Sequence, residues 1–367
     1  MKFNKQIMKK IFSSALYIAV AICMIGCAKT TTQGPNEAYK RYFDAWMEIN
    51  HPDLQPQGLG YYVIDEKPGT GTEVEDDGFV LVDYKITDLE GNISSYSDAE
   101  TAKKLGEYSE TDYYGPKFWT TAKTTLPAGL SSALIGQKVG TSRTIIIPSW
   151  LMSYKSYGSE EDYLDPPLKK DEEYDASSFS NTIYEFKVMD YTEDILQWQI
   201  DSIGRFFANE SVKIDGKPAN EVFSGMTAKD SVSTGFYYKQ LSAPADTAAF
   251  SKDTTIYINY TGKLLNGLVF DTTIERVAKD NGLYSAAKTY EPVRINWGEK
   301  YSEITMSSSK TSIIGGFGLT LWQMRPMEKG VGVFYSNYGY NYSGSGSTIP
   351  GYAPLIFEIE IVAKPEE

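Results

Sequence analysis

The stretch YTGKLLNGLVFDTT, residues 260–273, decides the fold of the C-terminal part of this chain. The residues that lead into it are β-prone, and every second one is apolar, which predicts a strand with one buried face: Ile256, Ile258 and Tyr260. Asn266-Gly267 is a strong turn signal. Phe270 and Asp271 follow the turn side by side. Neighbours in an extended segment point to opposite faces, so these two line one pocket only where the strand bends.

Four blocks of sequence resemble, in the right order, the FKBP-type peptidyl-prolyl isomerases. The first block fills the family's Tyr-Thr-Gly, Leu, Asn-Gly and Phe-Asp-Thr positions: Tyr260, Thr261, Gly262, Leu264, Asn266, Gly267, Phe270, Asp271 and Thr272. Residues 313–317 are similar to the family's Val-Ile-x-Gly-Trp, with Phe317 in place of Trp, and Gln323-Met324 and Gly330 continue that segment. Residues 349–360 look like the closing Ile-Pro motif and last strand.

The chain also contains an internal repeat of about 175 residues, in which a helix pattern precedes a Tyr-Tyr strand start. The helix patterns cover residues 37–50 and 194–209. We interpret both helices as packing elements at domain edges, with dimerisation as the alternative. The resemblance implies an α+β fold of two FKBP-like domains, each a curved antiparallel sheet wrapped on a short helix and each preceded by an amphipathic helix. The expected division is a signal peptide at 1–26, a tether and helix at 27–57, a first domain at 58–192, a linker helix region at 193–229 and the isomerase domain at 230–367.

The first repeat matches the family less well than the second. Residues 79–84 resemble the strand that ends in the family's tyrosine, but Ser94 and Ser95 stand where phenylalanine and aspartate belong. We therefore expect an FKBP-like scaffold with a lost or altered pocket. Two insertions that are rich in tyrosine and acidic residues, roughly 97–120 and 155–178, are predicted to be surface loops.

The N-terminal segment predicts export. Its lysines precede an apolar run, residues 11–25, that is shorter than the ~20 residues of a membrane span. The run ends in Met-Ile-Gly-Cys, which resembles a bacterial lipobox, so Cys27 is expected to carry lipid such as palmitate and to tether the protein to the outer membrane, facing the periplasm or the surface. An uncleaved anchor or an ordinary signal peptide is the alternative. Cys23 leaves with the signal, so stability must come from packing.

The composition is that of a globular protein, with 14% aromatic and 41% hydrophobic residues among 367. The formal net charge is -13, and removal of the four lysines in residues 1–26 makes it -17. An acidic surface disfavours nucleic acid as a partner. The simpler interpretation of the charge is solubility of an exported protein.

Prolyl isomerisation is a rotation about an amide bond, whose uncatalysed barrier is ~20 kcal/mol. A half-rotated amide loses its resonance. A catalyst needs an apolar, water-poor cup that holds proline while the preceding carbonyl turns. The resemblance therefore implies no nucleophile, no metal and no cofactor.

The resemblance also assigns the parts of this cup. Phe317 is expected to be the floor, with walls from Tyr260, Phe270, Ile314 and Phe357. Further substrate contacts are expected from Ile313 and Ile349, and the Ile314 amide would hold a carbonyl. Asp271, fixed by Tyr260, would sit beside the twisting carbonyl. Counting back from Ile349 assigns the second carbonyl donor to Tyr340, with Tyr338 as the alternative.

Two classes of function remain in contention. The first is an isomerase in the C-terminal domain that assists folding of exported, proline-containing clients. The second is a noncatalytic peptide-binding or chaperone lipoprotein on the same scaffold. A hydrolase or metalloenzyme has little support, because the chain has one histidine and no Cys/His cluster. A polysaccharide-binding role for the tyrosine-rich loops and the oligomeric state stay open.

Overall fold

The computed structural model describes residues 35–122, 125–153, 159–164, 180–306 and 313–366. The predicted signal peptide, Cys27 and most of the predicted insertion at 155–178 lie outside these ranges. Among the residues that the structure describes, none of the helices has the length and apolar character needed to cross a bilayer.

The N-terminal half is built on an antiparallel sheet with one helix before it and short helices between its strands. In chain order its elements are α1 (Pro35–Asn50), β1 (Tyr62–Lys67), β2 (Phe79–Asp88), β3 (Ile93–Tyr96), α2 (Ala99–Leu105), β4 (Lys117–Thr120), α3 (Ala128–Leu134), β5 (Ser142–Ile147), α4 (Glu160–Leu164) and β6 (Thr182–Thr192). The strand order in this first sheet is β1-β5-β6-β2-β3, with β4 paired to β2. The insertion predicted as a surface loop at 97–120 thus contributes a helix and a strand.

The C-terminal half repeats this plan. Its elements are α5 (Ile195–Phe206), β7 (Lys213–Ile214), β8 (Lys217–Pro218), α6 (Ala219–Val222), β9 (Phe236–Gln240), β10 (Thr255–Leu264), β11 (Val269–Thr272), α7 (Glu275–Asp280), β12 (Val293–Asn296), β13 (Thr305–Met306), α8 (Gly315–Gln323), β14 (Lys329–Phe334) and β15 (Leu355–Val362). The second sheet has the order β9-β14-β15-β10-β12-β13, with β11 paired to β10.

Strands β2, β3 and β4 of the first sheet are separated from β10, β11 and β12 of the second by one constant distance along the sequence. In the first sheet Phe79 pairs with Thr120, and in the second Thr255 pairs with Asn296. The same separation, which we name the repeat offset, relates Tyr84 to Tyr260. The α+β architecture with antiparallel sheets is therefore as expected, and the repeat extends from sequence to strand register.

Each helix that precedes a sheet packs on the outer face of that sheet. In α1, Phe43 and Met47 are buried against Ile146 of β5. In α5, Ile203 and Phe206 are buried with residues of β14 and β15. The helices are thus packing elements whose apolar stripe is covered by the neighbouring strands.

The inner face of the second sheet packs on α8. Alternation along β15 sends Phe357 to this inner core, whereas Ile356 joins the outer core under α5. The floor of the inner core comes from Phe317 and Leu321 of α8, both buried. This sandwich of helix and sheet positions the aromatic side chains considered next.

Candidate active site

A cavity of about 680 Å³ opens on the inner face of the second sheet. It brings together all nine side chains that the sequence assigned to the site: Tyr260, Phe270, Asp271, Ile313, Ile314, Phe317, Tyr340, Ile349 and Phe357. These residues come from β10, β11, β15, the start of α8 and the segment after β14. The cup is therefore assembled by the sheet and not by one local segment.

The floor of the cavity consists of rings that meet edge to face. The Phe317 centroid lies 5.3 Å from that of Tyr260 and 5.0 Å from that of Phe357, at interplanar angles of 87° and 86°. Phe270 meets Phe357 in the same way at 5.5 Å. Such geometry is favourable for aromatic quadrupoles. It also requires Gly262, because a Cβ there would lie 2.6 Å from Cζ of Phe270.

The bend that the sequence required between Phe270 and Asp271 is a β-bulge. Gly262 pairs with Asp271, whereas Lys263 pairs with Val269, which leaves Phe270 without a partner in the register. A bulge of this kind re-aims side chains that would otherwise alternate. The aromatic ring and the carboxylate therefore reach the same cavity.

The carboxylate of Asp271 is held on both oxygens. Tyr260 Oη donates to Asp271 Oδ2 at 2.5 Å, and Lys288 Nζ lies 2.7 Å from Oδ1. Burial, and then the charge of Asp271, raise the pKa of Tyr260 above its usual range. The same two causes raise the pKa of Tyr340. Both phenols thus remain hydrogen-bond donors at neutral pH.

Tyr340 and Tyr338, the two candidates for the hydroxyl that donates to a second substrate carbonyl, lie in different surroundings. Tyr340 lines the cavity. Tyr338 packs on Phe236 and on Tyr335, with ring centroids 6.4 Å and 5.1 Å apart. The next residues along the chain, 345–348, form one wall of the cavity. We name residues 343–348 the pocket loop.

Two parts of the site were not found from the sequence: Lys288, which comes from the insertion after α7, and Met306, which ends β13. The Ser- and Gly-rich residues 343–347 predict a mobile loop over the pocket, and the structure places residues 345–348 in the wall of the cavity. The loop that carries Lys288 is repeated in the sequence, and the position that matches Lys288 at the repeat offset is Asp112. Only a comparison of the two repeats would have drawn attention to this lysine. Met306 had no comparable signal.

The corresponding place in the first sheet is different. Ser95 replaces Asp271, and its Oγ lies 3.4 Å from Tyr84 Oη. The Trp119 ring packs on Tyr84 with centroids 5.0 Å apart, and it also meets Tyr184 edge to face. The inner face of the first sheet is thus occupied by one of its own indole rings.

No group of three or more His, Cys, Asp and Glu side chains is placed to hold a metal ion in the parts of the chain that the structure describes. The cavity offers instead five aromatic rings, two of which carry phenol donors, together with isoleucine side chains and one paired carboxylate. That set suits an apolar ring flanked by carbonyl groups.

Comparison with known proteins points to one family. Residues 247–362 match the family model described as FKBP-type peptidyl-prolyl cis-trans isomerase. The chain is 27% identical over 157 residues to a probable FKBP-type peptidyl-prolyl cis-trans isomerase of Haemophilus influenzae, a match that covers 42% of this chain and 54% of that protein. It is 29% identical over 125 residues to FK506-binding protein 1A of Aspergillus fumigatus, covering 34% of this chain and 90% of that protein.

Among solved structures, the chain is similar to the three FKBP domains of wheat FKBP73, with 12% identity over 83% of this chain and 94% of that chain. The TM-score of 0.26 is too low to bear on how the two sheets are arranged. The family match instead covers the strands and the helix that build the cavity. The similarity to the FKBP-type peptidyl-prolyl cis-trans isomerases thus covers residues 247–362 of this chain.

Proposed function

We propose that the cavity on the second sheet catalyses cis-trans isomerisation of prolyl peptide bonds in exported polypeptides. The observation that carries this proposal is the convergence of five aromatic rings and one carboxylate on a single cavity of about 680 Å³. A prolyl residue with its neighbours fits a cup of this kind, whose rings exclude water from the rotating amide.

Each lining group has a role in the rotation. Phe317 lies under the pyrrolidine ring, with Tyr260 and Phe357 as its walls. The first amides of a helix have no acceptor within that helix, so the Ile314 amide at the start of α8 binds a substrate carbonyl. The Tyr340 hydroxyl binds another carbonyl.

Asp271 lies at the edge of the cup, next to the carbonyl that turns. Tyr260 and Lys288 fix the carboxylate in one orientation. A preorganised charge of this kind interacts with the changing dipole of the amide without reorganising during the reaction. The rest of the barrier reduction comes from the apolar surroundings, which favour the less polar half-rotated amide.

We infer that residues 58–192 form a second FKBP-like domain whose pocket has been altered, and that residues 230–367 form the isomerase domain. The common strand order and the repeat offset shared by three pairs of corresponding strands support this division. The replacement of Asp271 by Ser95 and the packing of Trp119 on Tyr84 support the loss of the first pocket.

We also propose that the protein works in the cell envelope, anchored to the outer membrane through lipid on Cys27. The supporting feature is the lipobox-like end of the N-terminal apolar run. A Cys27→Ser variant should lose labelling by palmitate and move from the membrane to the soluble fraction. Retention in the membrane without label would contradict the anchor.

The activity is tested on the full chain with a proline-containing tetrapeptide. The wild type should accelerate isomerisation, and Asp271→Ala and Phe317→Leu should reduce kcat/KM while the protein stays folded by circular dichroism. The alternative, peptide binding without catalysis, is favoured by the first sheet, which keeps the scaffold without the pocket residues. Peptide binding by the wild type with no acceleration would establish that alternative.

A further inference from the structure

We propose that the N-terminal half completes the prolyl pocket of the C-terminal half and thereby takes part in choosing its peptides. Residues 106–116, which we name the bridging loop, hold the pocket loop in position. The proposal rests on the proposed function, because it concerns which peptides the pocket accepts.

Two hydrogen bonds join the bridging loop to the wall of the cavity. Ser347 Oγ donates to Asp112 Oδ1 at 2.6 Å, and the Tyr113 backbone N–H donates to Ser347 O at 3.0 Å. Ser347 itself lines the cavity. The Tyr113 ring packs against the inner core of the second sheet. The contact thus reaches from the first half to the pocket wall and the core behind it.

The bridging loop is a copy of the loop that carries Lys288. We name that second loop, residues 282–292, the lysine loop. Both loops read Gly-x-Tyr-Ser-x-x-x-x-Tyr-x-Pro, and the repeat offset separates them. Their matched positions are Gly106 and Gly282, Tyr108 and Tyr284, Ser109 and Ser285, Tyr114 and Tyr290, and Pro116 and Pro292.

The two loops also fold in the same way. Their paired tyrosine rings stack at centroid distances of 5.4 Å and 5.6 Å, both with an interplanar angle of 16°. In each loop the serine N–H donates to the second tyrosine hydroxyl, at 3.1 Å and 3.0 Å. In each, a lysine of the preceding helix lies over the first tyrosine ring. The loops are therefore one structural unit used twice.

The two loops differ in the residue at one matched position and therefore in what they contact. In the lysine loop, Lys288 reaches Asp271 of its own pocket. In the bridging loop the matched residue is Asp112, and the residue matched to Asp271 is Ser95. The ion pair of the second half therefore has no counterpart at these positions in the first half. Asp112 binds Ser347 of the other half instead.

A second contact of the bridging loop reaches the lysine loop itself. The Glu110 side chain lies directly against Gly282, where an added Cβ would have no room. Gly282 also has φ +68°, a conformation that L-residues avoid. The bridging loop thus contacts both loops at the rim of the cavity.

The chain that leaves the pocket loop is held by the first sheet as well. Tyr352 has φ +62°, which is unusual for an aromatic residue. In this conformation its ring packs on Phe79 at 5.3 Å and on Phe118 at 6.1 Å. The wall formed by the pocket loop is therefore fixed at Ser347 and again just beyond Pro350.

Because the pocket loop is already held in place by the bridging loop, peptide binding does not have to order it. Ordering a loop on binding reduces affinity, and preorganisation removes that cost. The hydrogen bond between Asp112 and Ser347 involves neither the rings of the cup nor Asp271. Loss of the contact should therefore raise KM and leave kcat nearly unchanged.

The test compares the full-length wild type with Asp112→Ala, Asp112→Asn and Ser347→Ala. Asp112→Ala should raise KM for a proline tetrapeptide about threefold to tenfold, with kcat within about twofold. Asp112→Asn keeps an acceptor for Ser347 and should restore most of the binding. The Asp112→Ala, Ser347→Ala double variant should be no worse than either single variant. Asp53→Ala, at an exposed aspartate in the turn after α1, is the matched control and should behave as wild type.

Amide hydrogen exchange reports on the same contact without a measurement of catalytic activity. The Ser345 N–H donates to Ile349 O within the loop at 2.8 Å, and its exchange should speed up in Asp112→Ala but not in Asp53→Ala. Unchanged exchange and unchanged KM would overturn the proposal. If the wild type does not isomerise proline, the proposed function fails, and the variants are then compared by peptide Kd, which decides the present proposal separately.

Discussion

Lys288 Nζ lies 2.7 Å from Asp271 Oδ1, so an ammonium group accompanies the carboxylate at the edge of the cavity. The pair remains partly exposed, with 44% and 40% of the two side chains accessible to solvent. Ion pairs in such surroundings contribute about 0–1 kcal/mol. The value of the contact is therefore orientation: it holds one oxygen while Tyr260 holds the other.

Replacing Lys288 by glutamine should accordingly have a modest effect. We expect kcat/KM to fall by no more than about fivefold, because the Tyr260 hydrogen bond still fixes the carboxylate. High salt should reproduce part of this loss in the wild type, since it screens an exposed pair. The measurement is kcat/KM against ionic strength. Lys300→Gln removes an exposed lysine paired with Glu303 and serves as the control. A hundredfold loss of kcat/KM in Lys288→Gln would show that the ammonium itself acts on the substrate.

The hydrogen bond between Tyr260 and Asp271 should contribute both to the stability of the fold and to kcat/KM. Asp271→Ala leaves the buried Tyr260 hydroxyl without its acceptor, which we expect to lower the free energy of unfolding by about 1–3 kcal/mol. It should also lower kcat/KM by about tenfold. In Tyr260→Phe, Asp271 keeps Lys288 as a partner, so the loss in stability should be smaller. Urea unfolding and kinetics of both single variants and the double variant give the coupling, and purely additive effects would contradict a shared role.

A rise in pH should lower the free energy of unfolding before it changes kcat. Burial raises the pKa of Tyr113 to about 12, with the charge of Asp83 as a further cause. A phenol whose pKa is higher in the folded than in the unfolded state contributes stability that is fully present below pH 10 and is lost as pH rises towards 12. Tyr260 and Tyr340 shift in the same direction.

We therefore expect kcat to stay level from pH 7 to about pH 9.5, while the free energy of unfolding falls above about pH 10. Urea titrations at several pH values measure the fall. Tyr113→Phe removes one titrating group and should show a shallower decline. A free energy of unfolding that stays level above pH 10 would mean that the phenols titrate in the folded state near their ordinary pKa.

Glu358 offers a stability effect that is separate from the pocket. It follows Phe357 on β15 and points to the outer face, where it pairs with Lys263 and accepts the Asp215 N–H at 2.7 Å. The side chains of this pair are only 11% and 15% exposed. Removing one partner of such a pair costs about 3 kcal/mol, because the other charge is left without compensation.

The Glu358→Ala variant should thus be easier to unfold by about that amount, with kcat/KM of the folded protein within about twofold of wild type. Chemical unfolding and kinetics below the transition test both statements. Glu360→Ala lies on the same face of the strand and should cost much less. A drop in kcat without a change in stability would show that the outer face communicates with the cavity.

The convergence of the nine residues on one cavity was predictable because the family's blocks stand in the family's order. Spacing from Ile349 also favoured Tyr340 over Tyr338, and the structure places Tyr340 in the cavity. The bend at Phe270 was required by the alternation of strand side chains, and a β-bulge supplies it. These features depend on local sequence or on motif order, so a single chain reveals them.

The contributions of the insertions were not predictable in the same way. The segment at 97–120, expected as a surface loop, pairs β4 with β2 and sends Asp112 to a residue 235 positions away. Contacts of this kind depend on how two sheets meet, which no local pattern encodes. Lys288 is an intermediate case, because the loop that carries it is repeated, but its partner follows only from the fold.

The place of α5 has a consequence for how the protein is made. Its apolar side, with Ile203 and Phe206, is covered by Val331, Val333 and Ile356. A ribosome delivers those strands about 130 to 150 residues later. During synthesis this helix therefore presents an uncovered apolar surface until the last strand has left the ribosome.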